Sequence, residues 1–199
     1  KCKFINLSSA AVYGNQQQIP INEKQELNPV SPYGFHKKQA EEICGYYYSL
    51  FGIRTCSIRI FSAYGEGLKK QLFWDLNVKS KKSKSIVTIH GTGNESRDYI
   101  HIKDLVLQLE IGLINAPFRG EKINSANGVE IKISDAVRCF LKNKIWKGNI
   151  RYNNRTRKGD PINWCADISK MKNWGYTQKY NLENGIKNYV RWIKDQKLD

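Results

Sequence analysis

The sequence predicts an α/β protein with a parallel sheet, and three consecutive segments support that prediction. Residues 3–7 are apolar and are bounded by small polar residues, which is typical of a short buried strand. Residues 32–51 place apolar side chains at helical spacing, and residues 54–60 indicate a second strand. Because a strand, a helix and a strand of these lengths form the crossover unit of a parallel sheet, we expect both strands in one sheet.

The helix over residues 32–51 has clear start and stop signals. Ser31 can cap its N-terminus, and Pro32 is favoured at the first helical position. Gly52 is typical of a helix C-terminal stop. The polar residues 15–30, with two prolines, predict a loop between the first strand and this helix.

The later elements follow from the same signals. Gly91 and Gly93 do not form a dinucleotide-binding motif, because they lack a third glycine and no helical pattern follows them. We predict a hairpin turn there instead. Ser134 predicts the N-cap of a helix. The remaining predictions are helices over residues 69–82, 103–114 and 181–197, a short helix opening at 167–170, and strands over 86–90 and 122–125.

The composition fits a globular, cytoplasmic protein. Of the 199 residues, 40% are hydrophobic, and no apolar run reaches the roughly 18 residues of a membrane-spanning helix. The five cysteines are scattered without a C-x-x-C pair, which indicates reduced thiols and no disulfide framework. None of the three histidines stands at metal-ligand spacing. We therefore expect no metal site and no membrane partner.

The net charge of +15 is large for this length. Clustered cations can neutralise phosphates, so nucleic-acid binding is one interpretation. The lysines are spread along the chain, however, and no nucleic-acid-binding motif is present. We favour a lysine-rich surface that attracts a small anionic substrate.

Three residues near the start of the chain indicate chemistry. Tyr33 and Lys37 are four positions apart on the predicted helix and share one face. An ammonium one helical turn from a phenol favours the phenolate, so we expect a lowered tyrosine pKa. Ser9, after the first strand, supplies a hydroxyl that could share a substrate oxygen with Tyr33. A chance surface pair and an ordinary loop serine are the alternative.

The order of these residues resembles a known family. A strand followed by S-S-A-A-V-Y-G and then S-P-Y-G-F-H-K resembles the extended short-chain dehydrogenase/reductases, especially nucleotide-sugar epimerases of the UDP-glucose 4-epimerase type. The resemblance implies that Ser9, Tyr33 and Lys37 form the catalytic triad, with Tyr33 and Lys37 also binding the cofactor. Related dehydratases carry acidic residues where this chain has Ala10 and Ala11, which argues against a dehydratase.

Three further motifs extend the resemblance along the whole chain. R-I-F-S-A-Y-G resembles a segment that implies a cofactor contact for the backbone near Phe61 and a substrate contact for Ser62. R-D-Y-I-H-I-K-D implies that Arg97 clamps a substrate diphosphate, a role suited to a guanidinium; a local ion pair with Asp98 is the alternative. R-K-G-D-P-I-N-W-C-A-D-I-S-K implies further substrate-binding residues, namely Arg157 as a second clamp, Asp160 on the ribose and Trp164.

One large departure from the family concerns the cofactor-binding half. The family opens with a strand, a glycine-rich turn and a helix that hold the dinucleotide pyrophosphate, and this chain has no such motif. The resemblance therefore implies the C-terminal part of a Rossmann-like parallel sheet plus a small mixed α/β substrate-binding lobe. We expect residues 1–65, with 98–126 packed on them, to be the remnant of the NAD-binding domain. Residues 66–97 and 127–199 should form the lobe.

The chain begins with Lys1, and we expect an incomplete piece of a longer enzyme that binds NAD poorly alone. An exposed sheet edge and apolar face would favour self-association, and a homodimer is expected.

The expected function of the parent enzyme is NAD-dependent epimerisation of a nucleotide-diphosphate sugar at C4 through a 4-keto intermediate, in polysaccharide biosynthesis. NADP is the alternative cofactor. A 4-ketoreductase or decarboxylase of the same fold, or a non-catalytic nucleotide-sugar-binding module, are the alternative functions.

Overall fold

The computed structural model describes residues 2–155 and 159–196. Fourteen helices and strands lie within these residues, and a short 3-10 helix, Ala10–Val12, follows the first strand. In chain order they are β1 (Lys3–Ser9), α1 (Pro32–Phe51), β2 (Arg54–Ile60), β3 (Ser62–Tyr64), α2 (Gln71–Lys82), β4 (Ile86–Ile89), β5 (Ser96–His101), α3 (Ile102–Asn115), β6 (Arg119–Ser125), β7 (Glu130–Lys132), α4 (Ile133–Asn143), β8 (Asn149–Tyr152), α5 (Ser169–Asn173) and α6 (Leu182–Asp195).

The central sheet is parallel and has the strand order β1-β2-β6 within the described residues. β1 and β2 pair in register from Lys3 opposite Arg54 to Ser9 opposite Ile60. Helix α1 makes the crossover between them, so the predicted strand–helix–strand unit is confirmed. β6 pairs with the other side of β2, which leaves β1 at the edge of this sheet. The α/β fold class is therefore confirmed.

Helix α1 begins and ends at the predicted residues. The Ser31 side chain accepts a hydrogen bond from the Gly34 backbone N–H at 3.1 Å, and Pro32 is the first helical residue. Gly52 ends the helix with a φ of 63°, a left-handed conformation that glycine adopts without steric cost.

The predicted hairpin at Gly91 and Gly93 is wrong. β4 pairs in parallel with β8, whereas β5 pairs with β3 and β7 in a different sheet. The turn therefore passes the chain from one small sheet to another. Glu95 closes it, because its carboxylate accepts hydrogen bonds from the Thr92 and Gly93 backbone N–H groups, each at 2.9 Å.

Ser134 does not cap a helix as predicted. Helix α4 begins one residue earlier, at Ile133, and its N-cap residue is Lys132, whose side chain makes no capping bond. The Ser134 N–H instead donates to the Gly93 carbonyl oxygen at 2.9 Å. The turn at Gly93 thus satisfies a helix N-terminal donor that a serine side chain would otherwise bind.

Two hydrophobic cores support this arrangement. One lies around the β1-β2-β6 sheet and includes Ile58, Phe118, Ile123 and Met171. The other joins α2, α4 and α6, where Phe73 stacks on Phe140 with ring centroids 5.6 Å apart. Within residues 2–155 and 159–196, no helix is both long enough and apolar enough to cross a membrane.

Candidate active site

The three predicted catalytic residues lie where β1 ends and α1 begins. Ser9 is the last residue of β1, and its Oγ accepts a hydrogen bond from the Ala11 backbone N–H at 3.2 Å. The Lys37 ammonium donates to the Leu7 carbonyl oxygen at 2.8 Å and lies 5.7 Å from the centroid of the Tyr33 ring. Tyr33 is 56% exposed, so its phenol faces open space at this edge of the molecule.

Gly34 makes this close approach possible. It is buried in the first turn of α1, against the turn that follows Ser9. A Cβ atom at this position would overlap the Ala11 carbonyl oxygen. The absence of a side chain therefore lets the helix bring Tyr33 beside the end of β1.

The Ser9 hydroxyl is arranged to donate to a ligand. Its oxygen already accepts a backbone hydrogen bond, from Ala11, and the hydroxyl proton can still be donated. Ser9 is half-buried rather than enclosed. The site thus combines one hydroxyl donor with a neighbouring phenol and ammonium.

Arg97 on β5 lies over the ring of Trp164, and we call this surface the Arg97 wall. Its Nη1 donates to the Ser96 and Ile162 carbonyl oxygens at 2.7 and 3.1 Å. Burial lowers the pKa of this guanidinium, while Tyr99 and Asp160 act in the opposite direction. An arginine nevertheless stays charged at neutral pH, so a partly buried cation is held on this wall.

Trp164 and Phe61 lie deeper than their predicted roles imply. Trp164 is 9% exposed, its indole N–H donates to the Gly14 carbonyl oxygen at 3.1 Å, and Arg97 lies 5.6 Å from its ring. Phe61 packs edge-on against Trp164, and its backbone N–H donates to Ser125 at 3.0 Å. Both aromatic rings therefore support the wall that carries Arg97, and the Phe61 N–H is already used within the chain.

The remaining predicted binding residues have different surroundings. Gly159 lies against the backbone of Val30 and Ser31, at the start of α1, which brings the exposed Asp160 to the same edge. Ser62 is half-buried in β3, opposite Tyr99 of β5. Arg157 lies outside the described residues.

A buried ion pair behind the site was not predicted. Glu41 on α1 and Arg59 on β2 are 1% and 2% exposed, and the closest atoms, Oε2 and Nη2, are 2.7 Å apart. Arg59 Nε also donates to Glu41, at 2.9 Å to Oε1. Ser8, next to Ser9, donates its hydroxyl to the same carboxylate at 2.5 Å. Glu41 thus joins α1 to both β1 and β2.

The ion pair continues into a longer polar network. Arg59 Nη1 donates to the Tyr13 phenol oxygen at 2.8 Å, and Tyr13 donates to Asn124 at 2.7 Å. Asn124 in turn donates to the carbonyl oxygens of Ile21 and Asp167, at 2.8 and 3.2 Å. Burial raises the pKa of Tyr13 to about 12, with Arg59 acting against that rise, so its hydroxyl stays a hydrogen-bond donor.

Asp98 is the second unpredicted residue, and it does not pair with Arg97. Its carboxylate accepts hydrogen bonds from the backbone N–H groups of Asn127, Gly128 and Ala166, at 2.9–3.0 Å. Burial raises its pKa to about 6, although these backbone donors act in the opposite direction. Asp98 therefore ties β5 to the two segments that surround the Arg97 wall.

A sequence signal existed for one of these residues. Glu41 follows Lys37 by four positions, so it lies on the helix face that carries the predicted chemical residues. No comparable signal marks Asp98, because its partners are backbone groups 29 to 68 positions away.

Comparison with known proteins places the whole chain in a family. A sequence profile described as GDP-mannose 4,6 dehydratase matches residues 1–189. A relative in Methanocaldococcus jannaschii, provisionally named a UDP-glucose 4-epimerase, is 30% identical over 196 residues, which cover 94% of this chain and 61% of that protein. A UDP-glucuronate 4-epimerase of Thermodesulfobacterium geofontis is 28% identical over 198 residues, covering 97% of this chain and 59% of that protein.

The structural comparison agrees with the sequence comparison. The crystal structure of a Bacillus cereus UDP-glucuronic acid 4-epimerase, in complex with UDP-glucuronic acid and NAD, superposes with a TM-score of 0.87 at 28% identity. The match covers 96% of this chain and 61% of that one, so this chain spans about three fifths of its relatives' length. The chain therefore belongs to the GDP-mannose 4,6 dehydratase family, among the extended short-chain dehydrogenase/reductases that its motifs resemble.

Proposed function

We propose that this chain provides the catalytic and substrate-binding residues of an NAD-dependent nucleotide-sugar 4-epimerase. The main support is that Ser9 ends β1 while Tyr33 and Lys37 lie in the first turns of α1, where Lys37 bonds to the Leu7 carbonyl oxygen of β1. The names of the relatives at 28–30% identity, which are UDP-sugar 4-epimerases, support the same reaction. Ala10 and Ala11, where dehydratases have acidic residues, favour epimerisation over dehydration.

In the proposed reaction Tyr33, as the phenolate, accepts the proton of the sugar C4 hydroxyl. The hydrogen on C4 would leave as hydride to the nicotinamide cofactor when it is bound, which would convert the alcohol into a 4-keto sugar. The Ser9 hydroxyl donates a hydrogen bond to the C4 oxygen throughout. When the keto group has turned over, the hydride returns to the opposite face of C4 and Tyr33 returns the proton, which gives the epimer.

The residues at this edge fit one end of a nicotinamide dinucleotide. Tyr33 and Lys37 present a hydroxyl and an ammonium on an open surface, a donor set suited to the ribose beside the nicotinamide. NAD, or NADP as the alternative, supplies reversible hydride acceptance when it is bound. The glycine-rich pyrophosphate motif does not occur in this sequence, so these residues would hold only that end of the cofactor.

Arg97 is the proposed anchor of the substrate diphosphate. It is held by two carbonyl oxygens, and a guanidinium binds phosphate oxygens in a bidentate manner. Arg157 is proposed as a second clamp, Asp160 as a ribose ligand, and Ser62 as a nearby polar contact. The burial of Trp164 favours a role beneath Arg97 over the direct substrate contact that the sequence predicted.

We propose that the predicted domains divide cofactor binding from substrate binding. Residues 1–65 and 98–126 would form the cofactor side, and residues 66–97 and 127–199 the substrate lobe. We also propose a cytoplasmic enzyme of polysaccharide biosynthesis that acts as a homodimer. An exposed apolar stripe on α1 supports the dimer, and its members are Ile43, Tyr46, Tyr47 and Leu50.

The test is Tyr33→Phe in the full-length protein, assayed with UDP-, dTDP- and GDP-sugars. Loss of the proton acceptor should lower kcat on the order of 100-fold or more, with the fold unchanged by circular dichroism. Tyr46→Phe is the matched control, because Tyr46 is exposed on the same helix and should keep wild-type turnover.

Product analysis separates the alternative functions. An epimerase gives the epimer without added NADPH, a 4-ketoreductase consumes NADPH, and a decarboxylase releases carbon dioxide. Normal turnover of Tyr33→Phe would contradict the mechanism. Tight binding of a UDP-sugar without any turnover of the wild type would instead indicate a binding module.

A further inference from the structure

The carboxyl-terminal ends of α2 and α4 meet on the substrate lobe. The Lys144 ammonium, just after α4, donates to Asn77 Oδ1 on α2 at 2.5 Å. The Trp146 indole N–H donates to the carbonyl oxygen of Ser83, the residue after α2, at 3.0 Å. These contacts bring the lysine-rich ends of two helices, distant in sequence, onto one surface.

The last turn of helix α6 lies at the same surface. Trp192 on α6 packs against Trp74 on α2 with ring centroids 6.5 Å apart, and Lys194 follows two positions later. Burial, together with the positive charges of Lys81 and Lys194, lowers the pKa of Lys144, which agrees with their proximity. The lysine cluster, as we call it, comprises Lys79, Lys81, Lys82, Lys84, Lys142, Lys144, Lys147 and Lys194.

Few carboxylates offset this charge. Asp75 forms an ion pair with Lys79 at 2.6 Å, and Asp195 is exposed beside Lys194. Favourable interaction with helix dipoles explains lysines in the last turns of α2, α4 and α6. It does not explain Lys84, Lys144 and Lys147, which lie outside the helices.

An exposed apolar side chain lies between two lysines of the lysine cluster. Ile145 is 73% exposed and lies in the turn between Lys144 and Lys147. Its φ of 58° is unfavourable for a β-branched residue. Backbone bonds from Ile145 to Lys142 at 2.9 Å and from Trp146 to Leu141 at 3.0 Å hold the turn in place. The fold thus presents an isoleucine to solvent among ammonium groups.

The lysine cluster faces away from the candidate active site. β4 and β8 both begin beside it, with Ile86 paired to Asn149, and run in parallel away from it. After these strands the chain reaches the 159–160 segment, which lies against the start of α1. A partner bound to the lysine cluster would therefore leave the active site open.

We propose that the lysine cluster docks the protein onto an anionic phospholipid surface, with Ile145 inserted at the headgroup level. Clustered lysines are attracted to anionic headgroups, and an apolar side chain at the centre gains by leaving water. Nucleic acid is the weaker match, because a protruding isoleucine gains nothing from a phosphate backbone. The proposal departs from the expectation of no membrane partner, since only the fold brings these lysines together.

The experiment is vesicle cosedimentation of the chain, which requires no catalytic activity. We expect binding to phosphatidylcholine vesicles that contain about one third phosphatidylserine, no binding to pure phosphatidylcholine, and release at high salt. Replacing Lys81, Lys142 and Lys147 with Gln should weaken partitioning on the order of 100-fold at low salt. The matched control replaces three lysines that are exposed elsewhere, Lys24, Lys172 and Lys179, with Gln. This variant should lose far less vesicle binding.

Ile145→Asn tests the apolar contact. Asparagine tolerates a positive φ, so this variant should fold at least as well as the wild type and still bind vesicles several-fold more weakly. Equal loss of vesicle binding in the two triple variants would overturn the proposal, because the net positive charge of the chain would then explain the binding without the lysine cluster. Unchanged vesicle binding of Ile145→Asn, with tighter binding of the wild type to duplex DNA than to vesicles, would also overturn it.

Discussion

Glu41 is the residue that fixes helix α1 against the sheet. Its carboxylate accepts from Arg59 and Ser8 at almost complete burial. Burial acts to lower the pKa of Arg59, but its interactions with Glu41 and Tyr13 together more than offset that effect, so the pKa is raised. Removal of one partner from such a pair leaves an uncompensated charge in the interior.

We therefore expect Glu41→Gln to lower the free energy of unfolding by about 3–5 kcal/mol. Urea denaturation at neutral pH measures the change. Glu42→Gln is the matched control, because Glu42 is the exposed neighbour on the same helix and its replacement should cost less than about 0.5 kcal/mol. Equal stability of the two variants would contradict a structural role for the ion pair.

Asp98 gives the protein an unusual pH dependence. Its folded pKa of about 6 lies above the ordinary value of 3.8, so the folded chain holds the proton more tightly than the unfolded chain. The contribution of Asp98 to the free energy of unfolding is therefore largest below about pH 4 and falls by about 3 kcal/mol as the pH rises to about 6.

Asp98→Asn removes this dependence. The variant should be less stable than the wild type, because an amide offers one acceptor oxygen to the backbone donors of Asn127, Gly128 and Ala166. The difference from the wild type should be larger at about pH 4.5 than at pH 7, as measured by urea denaturation. A larger difference at pH 7 would mean that the backbone donors lower the pKa of Asp98.

Asp167→Asn provides the control of opposite sign. Hydrogen bonds from Ser169 lower the pKa of Asp167, so its stabilising contribution is present above pH 3.8 and is lost as the pH falls. Its difference from the wild type should therefore be larger at pH 7 than at about pH 3.

Among the elements, α1 carries most of the candidate site, and its position depends on a glycine. Alanine is favoured over glycine in an isolated helix by about 1 kcal/mol. At Gly34 this preference cannot be realised, because the added Cβ would overlap the Ala11 carbonyl oxygen. The helix would have to move away from the turn that follows Ser9.

We expect Gly34→Ala to lower both the thermal midpoint and the proposed epimerase turnover. The matched control is Gly45→Ala in the same helix, where the nearest atom is the flexible Lys122 Nζ at 4.0 Å. That variant should gain about 0.5–1 kcal/mol and keep its activity. Differential scanning calorimetry and an epimerase assay measure the two effects. Stabilisation by both substitutions would show that the space between Gly34 and the Ala11 carbonyl oxygen can hold a methyl group, which would contradict the prediction.

At the scale of the whole molecule, several large apolar side chains are exposed. The stripe on α1 includes Tyr46 and Leu50, each 67% exposed. Phe4 and Leu7, on the edge strand β1, are 54% and 49% exposed. Exposed apolar patches mark interaction surfaces, so the stripe on α1 is the proposed dimer contact.

We expect the wild-type chain to sediment above its monomer mass of 23.0 kDa at micromolar concentration. Tyr46→Glu combined with Leu50→Glu should shift it to the monomer, because two charges would be buried without partners. Val129→Glu, which alters an exposed apolar residue away from the stripe, should leave the sedimentation unchanged. A monomeric wild type would refute the proposed homodimer.

The sequence by itself determined the local features of this protein. Ser31, Pro32 and Gly52 gave the bounds of α1, because capping and left-handed conformations depend on a few neighbouring residues. The alternation of strand and helix gave the parallel pairing of β1 with β2, and the motifs placed the chain in its family.

Only the tertiary structure decided features that depend on partners distant in sequence. The turn at Gly91 could equally have closed a hairpin, and its role depends on β4 pairing with β8, some 60 residues later. Asp98 binds backbone groups up to 68 positions away, and the lysine cluster comes from the ends of three separate helices and the segments that follow two of them. Local sequence encodes conformational preference, whereas burial, charge clustering and backbone partners arise when remote segments pack, and no local pattern records them.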